Sequence, residues 1–409
     1  MSAADVPVAD VPPAEKAESA SEDWIVVDDP PQTKEGLHPD AELDLVFICD
    51  CTGSMGAYIK AAQKNIQSIV TKISQTQGAK VRFALVSYRD HPPQEKTYVT
   101  RVHGFTEEVE AMREFVNTMQ AVGGGDGPEA VAAGLFEALK LPWRPNATKV
   151  CVLIADAPPH GLEPTGDGFP DGDPDGRDPL KILRDMAAQD ITCYSVGCEP
   201  ALGNYHFARD FLCNVAEVTG GQAVALSSAA MLADVIINGS AEELALSKLQ
   251  RQVEEEVLRV QTGARREGRE ITTEAAVGAA FQSLQARGVT SVQMDTDGRM
   301  QNDTRPCWGS TREQKSLKAV KAELHALPRS APAPSSRTPA MAMPAMSSTR
   351  FGGGGYASAA AAPASAAAAA AAPATAPASA TRNCLKTDLI SADQVSRVVQ
   401  KAQYQNRLL

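Results

Sequence analysis

The chain has 409 residues, with 43% hydrophobic and 5% aromatic content: enough apolar text for a large core, too few rings for every part to pack. Its formal charge of −11 equals that of residues 1–50, which hold thirteen acids and two bases, so the remainder sums to zero. These values exclude a wholly disordered chain and a domain that concentrates basic charge for nucleic acid.

In chain order, residues 1–39 are rich in Pro, Asp and Ala without periodicity and read as a disordered acidic head. This head lacks the basic, then apolar, then small-residue order of a signal peptide. No apolar run approaches the ~18–20 residues of a membrane span, so the expectation is a cytoplasmic protein without one. Within the head, Ser21–Asp28 (SEDWIVVD) sets Trp24 and Val27 three apart behind acids. The string resembles the short motif that docks to autophagy ubiquitin-like modifiers, which implies strand addition with Trp24 and Val27 filling two pockets. The alternative is an apolar patch folded back onto the domain.

Leu43–Asp50 and Val81–Tyr88 read as buried strands, and Thr97–Phe105 as a short return strand after Asp90-His91-Pro92-Pro93. Lys149–Ala155, Ile191–Gly197 and the weaker Gln222–Leu226 follow. Helical spacing fills the gaps at 54–76, 106–120, 128–140, 179–189 and 203–219. Strands alternating with helices predict an α/β domain over 40–240, a doubly wound, mostly parallel six-stranded sheet of Rossmann-like form. Beyond it, 241–327 reads as a mainly helical extension. There a charged helix at 240–262 carries Leu246, Leu249, Val253, Val257 and Val260 on one stripe for packing back on the domain. A helix at 274–288 and a strand at Val289–Met294 come next. Residues 328–382 contain no acid and are mostly Ala, Pro, Ser and Gly, a linker. Residues 383–409 read as a short basic amphipathic segment.

The chemistry sits in Asp50-Cys51-Thr52-Gly53-Ser54-Met55, placed directly after the first strand and opening a helix. The carboxyl end of a strand in such a sheet is where ligands bind. One carboxylate and two hydroxyls in five residues are hard oxygen donors, suited to Mg²⁺, Mn²⁺ or Ca²⁺. Gly123-Gly124-Gly125-Asp126-Gly127-Pro128-Glu129 and Asp156, at the end of KVCVLIAD, supply further acids on what would be the same edge. The eight cysteines show no zinc-finger spacing and read as buried thiols.

The pattern resembles a von Willebrand factor type A domain with a metal-ion-dependent adhesion site. That resemblance implies Asp50, Thr52 and Ser54 as first-loop ligands, Thr replacing the family's first Ser, and Asp156 as the third-loop acid. The second loop lacks the family's Thr; its Asp-x-Pro-Glu is similar to the integrin β-subunit version, which implies Glu129 first and Asp126 second. The wording DCTGSM, YRDHPP, GGGDGPEA and DAPPHG is similar to the type A domains associated with atypical alpha-kinases, but no kinase text follows residue 248. The implied function is non-enzymatic: the cation bridges to an Asp or Glu of a partner protein.

Other readings remain. A hydrolase or phosphoesterase could use the same metal, although a phosphatase built on Asp50 lacks the acid it needs at Thr52. An adaptor could bind through its tails alone. Asp171–Gly176 has calcium-loop spacing, but Ile182 stands where a bidentate Glu is needed, so a solvated acidic loop is expected. Asp90 and His91 would shape partner choice on the rim or simply form a turn. His160 would support Asp156 or be a plain loop residue.

Overall fold

The structure, a computed structural model, describes residues 42–77, 79–309, 314–327, 383–405 and 407–408. The expected head with Trp24 and Val27, and the expected linker, lie outside the described residues. Six strands form the main sheet: β1 (Glu42–Asp50), β2 (Lys80–Tyr88), β3 (Thr100–Thr106), β4 (Thr148–Ala155), β5 (Ile191–Cys198) and β6 (Ala223–Leu226). Their order is β3-β2-β1-β4-β5-β6, all parallel except β3, which returns antiparallel on β2. The expected doubly wound sheet is therefore present.

Helices α1 (Gly56–Gln77), α2 (Val109–Asn117), α3 (Val131–Leu139), α4 (Pro179–Ala188) and α5 (Ala208–Thr219) alternate with these strands. On one face, Ile59, Ile66, Ile69, Val70 and Ile73 of α1 pack against Leu45, Phe47 and Val152 of the sheet. On the other, Leu135, Leu183, Phe211 and Val215 meet Val46, Ile48 and Leu153. With both faces covered, β1 is buried along almost its whole length, which is why it reads as a continuous apolar run.

Helix α6 spans Leu232–Arg266 and starts before the stripe predicted from 240. Asn238-Gly239-Ser240 would usually weaken a helix. Here a Cβ at 239 would lie 3.0 Å from the Tyr194 ring, so glycine lets the helix approach the sheet. Helix α7 (Thr273–Ala286), strand β7 (Thr290–Thr296), and helices α8 (Arg305–Trp308) and α9 (Leu317–Ala326) follow. Strand β8 (Asn383–Leu389) pairs antiparallel with β7, and helix α10 (Ala392–Tyr404) closes the described chain. Neither the strand at 383–389 nor its pairing is legible in NCLKTDL. Among the described residues no helix is long and apolar enough to cross a membrane.

Candidate metal centre

Sheet order reverses between β1 and β4, which run side by side with Cys49 opposite Ile154. Asp50 and Asp156 therefore leave adjacent strand ends together, at the topological switch where open α/β sheets bind ligands. After Asp50 the chain turns through Thr52 and a short 3-10 turn at Gly53–Met55 into α1. The Thr52 N–H and Oγ–H both donate to Asp50 Oδ1, at 2.8 and 2.7 Å. The Ser54 Oγ lies 3.4 Å from Thr52 Oγ1. Two hydroxyls and a carboxylate are thus fixed at one strand end by their own turn.

The other two loops are stitched to this turn by backbone. Gly53 N–H donates to Gly123 C=O at 3.1 Å and Val122 N–H to Cys51 C=O at 3.2 Å. Glu129 N–H donates to Pro158 C=O at 3.0 Å, which ties the Glu129 loop to the Asp156 loop. Gly124 has φ of +80°, and a Cβ there would sit 2.7 Å from Glu129 Oε1 and 3.3 Å from Thr52 Cβ. Only glycine leaves Glu129 this close to Thr52.

Asp50, Glu129 and Asp156 are all buried. Asp50 Oδ2 and Glu129 Oε2 are shielded from solvent and have no hydrogen-bond partner. Burial, and then the charges of Asp50, Asp90, Asp126 and Asp156, push the Glu129 carboxyl up to about 11. Burial and then Asp156 push Asp50 up, against the Thr52 bonds. Burial also raises Asp156, with the Ser54 hydroxyl opposing it. The acids repel one another, and among the described residues no Lys or Arg is paired with any of these three. An all-oxygen donor set with two orphaned buried oxygens fits a hard divalent cation.

Asp126 belongs to a neighbouring group. Asp90, Asp126 and His160 present ligand atoms within 4.8 Å of one another, a spacing that can hold a metal ion. Yet His160 already has a carboxylate at each nitrogen, Asp90 Oδ1 2.7 Å from Nε2 and Asp167 Oδ1 2.9 Å from Nδ1. Burial would push its pKa down, but the bonds to Asp167 and Asp90 outweigh this and lift it to about 9. At neutral pH the imidazolium is the counter-ion here, and a metal would have to displace its proton. Burial and the Asp90 carboxylate raise Asp126 to about 6, against its bond from Gly168 N–H.

One expectation changes at this rim. Asp90 and His91 are 0% and 2% exposed, so neither offers a side chain to a partner. His91 Nε2 lies 3.2 Å from Asp173 Oδ2, in ion-pair range without the alignment of a hydrogen bond. Asp173 is also paired with Arg177 at 3.2 Å, while Asp171 and Asp175 are exposed, so the Asp171–Gly176 loop is a solvated loop anchored at Asp173. Asp167, which holds His160, was not singled out by its residue pattern; the only cue is the Gly166-Asp167-Gly168 turn just after His160. The cysteines are free thiols, all buried but Cys384.

A family model for the von Willebrand factor A domain matches residues 44–163. An alpha-protein kinase of Dictyostelium discoideum is 35% identical over 159 residues, which cover 37% of this chain and 24% of that protein. A putative ariadne-like RING finger protein of Acanthamoeba polyphaga mimivirus is 28% identical over 198 residues, 46% of this chain and 18% of that protein. The chain thus spans a quarter or less of these relatives. Among solved structures, a von Willebrand factor type A protein from Catenulispora acidiphila aligns with 50% of this chain and 43% of its own, at 16% identity and a TM-score of 0.37. The von Willebrand factor domain of a type V pili tip protein from Porphyromonas gingivalis aligns with 49% of this chain and 94% of its own, at 18% identity and a TM-score of 0.36. The matched residues hold most of β1, all of β2, β3 and β4, and the three acidic loops: over residues 44–163 this chain matches the von Willebrand factor A domain.

Proposed function

We propose that the domain binds a partner protein through a divalent cation held by Asp50, Thr52, Ser54, Glu129 and Asp156, with Mg²⁺ as the first choice and Mn²⁺ or Ca²⁺ as alternatives. The observation that carries this reading is that Asp50 Oδ2 and Glu129 Oε2, on mutually repelling buried carboxylates, have no hydrogen-bond partner. When bound, the cation supplies positive charge and a coordination position that an Asp or Glu of a partner can fill. The chain's own residues do the rest. The Thr52 turn orients Asp50, Gly124 admits Glu129, and the backbone stitches hold the three loops in one frame. Asp126 and Asp90 lie beside this nest and add to its negative field, while the His160 imidazolium offsets part of it.

We assign no catalytic step. Hydrolysis would need a positioned base, and His160 is held protonated between Asp90 and Asp167.

Thermal melting with and without Mg²⁺ tests the cation. At a hundredfold excess over its Kd, a bound ion stabilises by about 2.7 kcal/mol. We expect the melting temperature to rise with Mg²⁺, to fall back with EDTA, and to ignore both in Asp50→Ala. Affinity capture of partners should show the same three-way dependence. A melting curve and a capture profile indifferent to EDTA would sink the proposal.

A further inference from the structure

Far from the loop rim, α6 buries two consecutive acids, Glu242 and Glu243, 1% and 2% exposed. Among the described residues, the cations paired with them are Arg397 and Lys401 of α10. Arg397 Nη1 donates to Glu242 Oε2 at 3.0 Å, its Nε to Gly220 C=O at 2.7 Å, and its Nη2 to the Tyr194 hydroxyl at 2.9 Å. Lys401 Nζ donates to Glu243 Oε1 and to Thr192 Oγ1, both at 2.8 Å. Gln394 Nε2 adds Glu242 Oε1 at 3.2 Å and Val292 C=O at 2.9 Å. Gln394, Arg397 and Lys401 therefore lie on one face of α10, at helical spacing, against the two acids.

The apolar fit follows the same line. Ile390, Val395, Val398, Val399 and Ala402 pack with Leu246, Val253 and Val257 of α6 and with Ala276, Ala280 and Leu284 of α7. Gly220 makes room for the lysine: a Cβ there would sit 2.6 Å from Lys401 Cγ. Beside the helix, β8 pairs with β7 through all seven residues, from Thr290 opposite Leu389 to Thr296 opposite Asn383. Among the described residues this two-stranded sheet has no other member, so β7 has no neighbouring strand there without β8. The face made by α6, α7 and β7 is incomplete by itself. What completes it comes from beyond residues 328–382, without a covalent cross-link.

We propose that this face is a docking surface for a strand–helix segment, residues 383–408, and that a second copy of this chain can deliver that segment in trans. Recognition has two parts. The strand is added by backbone pairing, tolerant of sequence, whereas the helix is selected by two buried charge pairs and an apolar stripe. Because the segment is joined only through 328–382, the contacts made by another copy's segment are the same ones, and exchange closes a symmetric dimer at little cost.

The test uses the full chain with a protease site inserted within residues 328–382, folded first and then cut. The two pieces should stay together on gel filtration. A fluorescent peptide of residues 383–409 should then replace the bound segment. The same peptide carrying R397E and K401E should compete about a hundredfold less well or worse, since each reversal sets like charges together in a buried site. Uncut wild-type chains with two different tags should co-purify after incubation. Two copies that both carry R397E and K401E should not. No uptake of wild-type peptide, or equal uptake of the reversed one, would overturn the docking surface. Peptide uptake without co-purification of uncut chains would overturn delivery by a second copy.

Discussion

The molecule buries acids in two places and treats them in opposite ways. Under α10, Glu242 and Glu243 have Arg397 and Lys401 at hydrogen-bond distance. At the ends of β1 and β4, Asp50, Glu129 and Asp156 have hydroxyls and one another, and two of their oxygens have no partner. A buried carboxylate without a counter-charge is expensive, so a fold retains one where something outside the chain completes it. The first cluster is a structural closure supplied by the protein's own cations. The second has no protein cation paired with it among the described residues, and this contrast separates a self-satisfied site from the one we propose takes a cation.

Removing a counter-charge from the closed cluster should have the largest effect. Arg397→Ala strands Glu242 without its cation, and we expect a loss of about 3–5 kcal/mol in urea unfolding. A cost under about 1 kcal/mol would show that the pair is not truly desolvated and would blunt the contrast.

The open cluster should respond to pH in the sense opposite to ordinary paired carboxylates. In the cation-free folded chain Glu129 keeps its proton up to about 11, against a reference value of 4.5. The native state thus binds more protons than the unfolded state over that window, and stability falls as pH rises. His160 acts in the same direction: its contribution is complete below 6.5 and is lost as pH rises through about 9. In EDTA the melting temperature should therefore decline from about pH 5 to about pH 9. Glu129→Gln should flatten much of that decline, and so should saturating Mg²⁺, which favours the ionised carboxylate. A melting temperature that climbs over this range would contradict the open-cluster picture.

The smallest effect is expected at Gly124. Alanine there meets Glu129 Oε1 and must adopt φ of +80°, a cost of about 1–2 kcal/mol. The informative readout is the Mg²⁺ response, which should weaken because Glu129 is displaced. Unchanged Mg²⁺ binding would remove Glu129 from the ligand set.

Much of the rim was legible locally. Asp50, Thr52 and Ser54 sit within one turn after an apolar strand, so their mutual geometry follows from short-range backbone constraints. Glu129 and Asp156 were readable as acids at loop positions on the same edge. That Glu129 comes before Asp126 as a ligand followed only from the family resemblance, and that Asp126 turns to Asp90 and His160 was not readable. It depends on hydrogen bonds between loops that are distant in sequence, such as Glu129 N–H to Pro158 C=O. Burial of Asp90 and His91 was unreadable for the same reason, because His160 and Asp173, their partners, are distant in sequence.

What the sequence by itself determined is therefore the periodic part: apolar strands, the helices between them, the order that makes a parallel sheet, and the oxygen-rich turn at Asp50. These rest on spacing and burial, which each segment carries in its own residues. Tertiary structure alone decided the partners of the buried charges. Strand β8 exists because β7 offers it an edge, and Arg397 and Lys401 are core residues because Glu242 and Glu243 wait beneath them. In the sequence those four charges look like solvated helix faces. Only their meeting across more than 150 positions turns them into a buried lock.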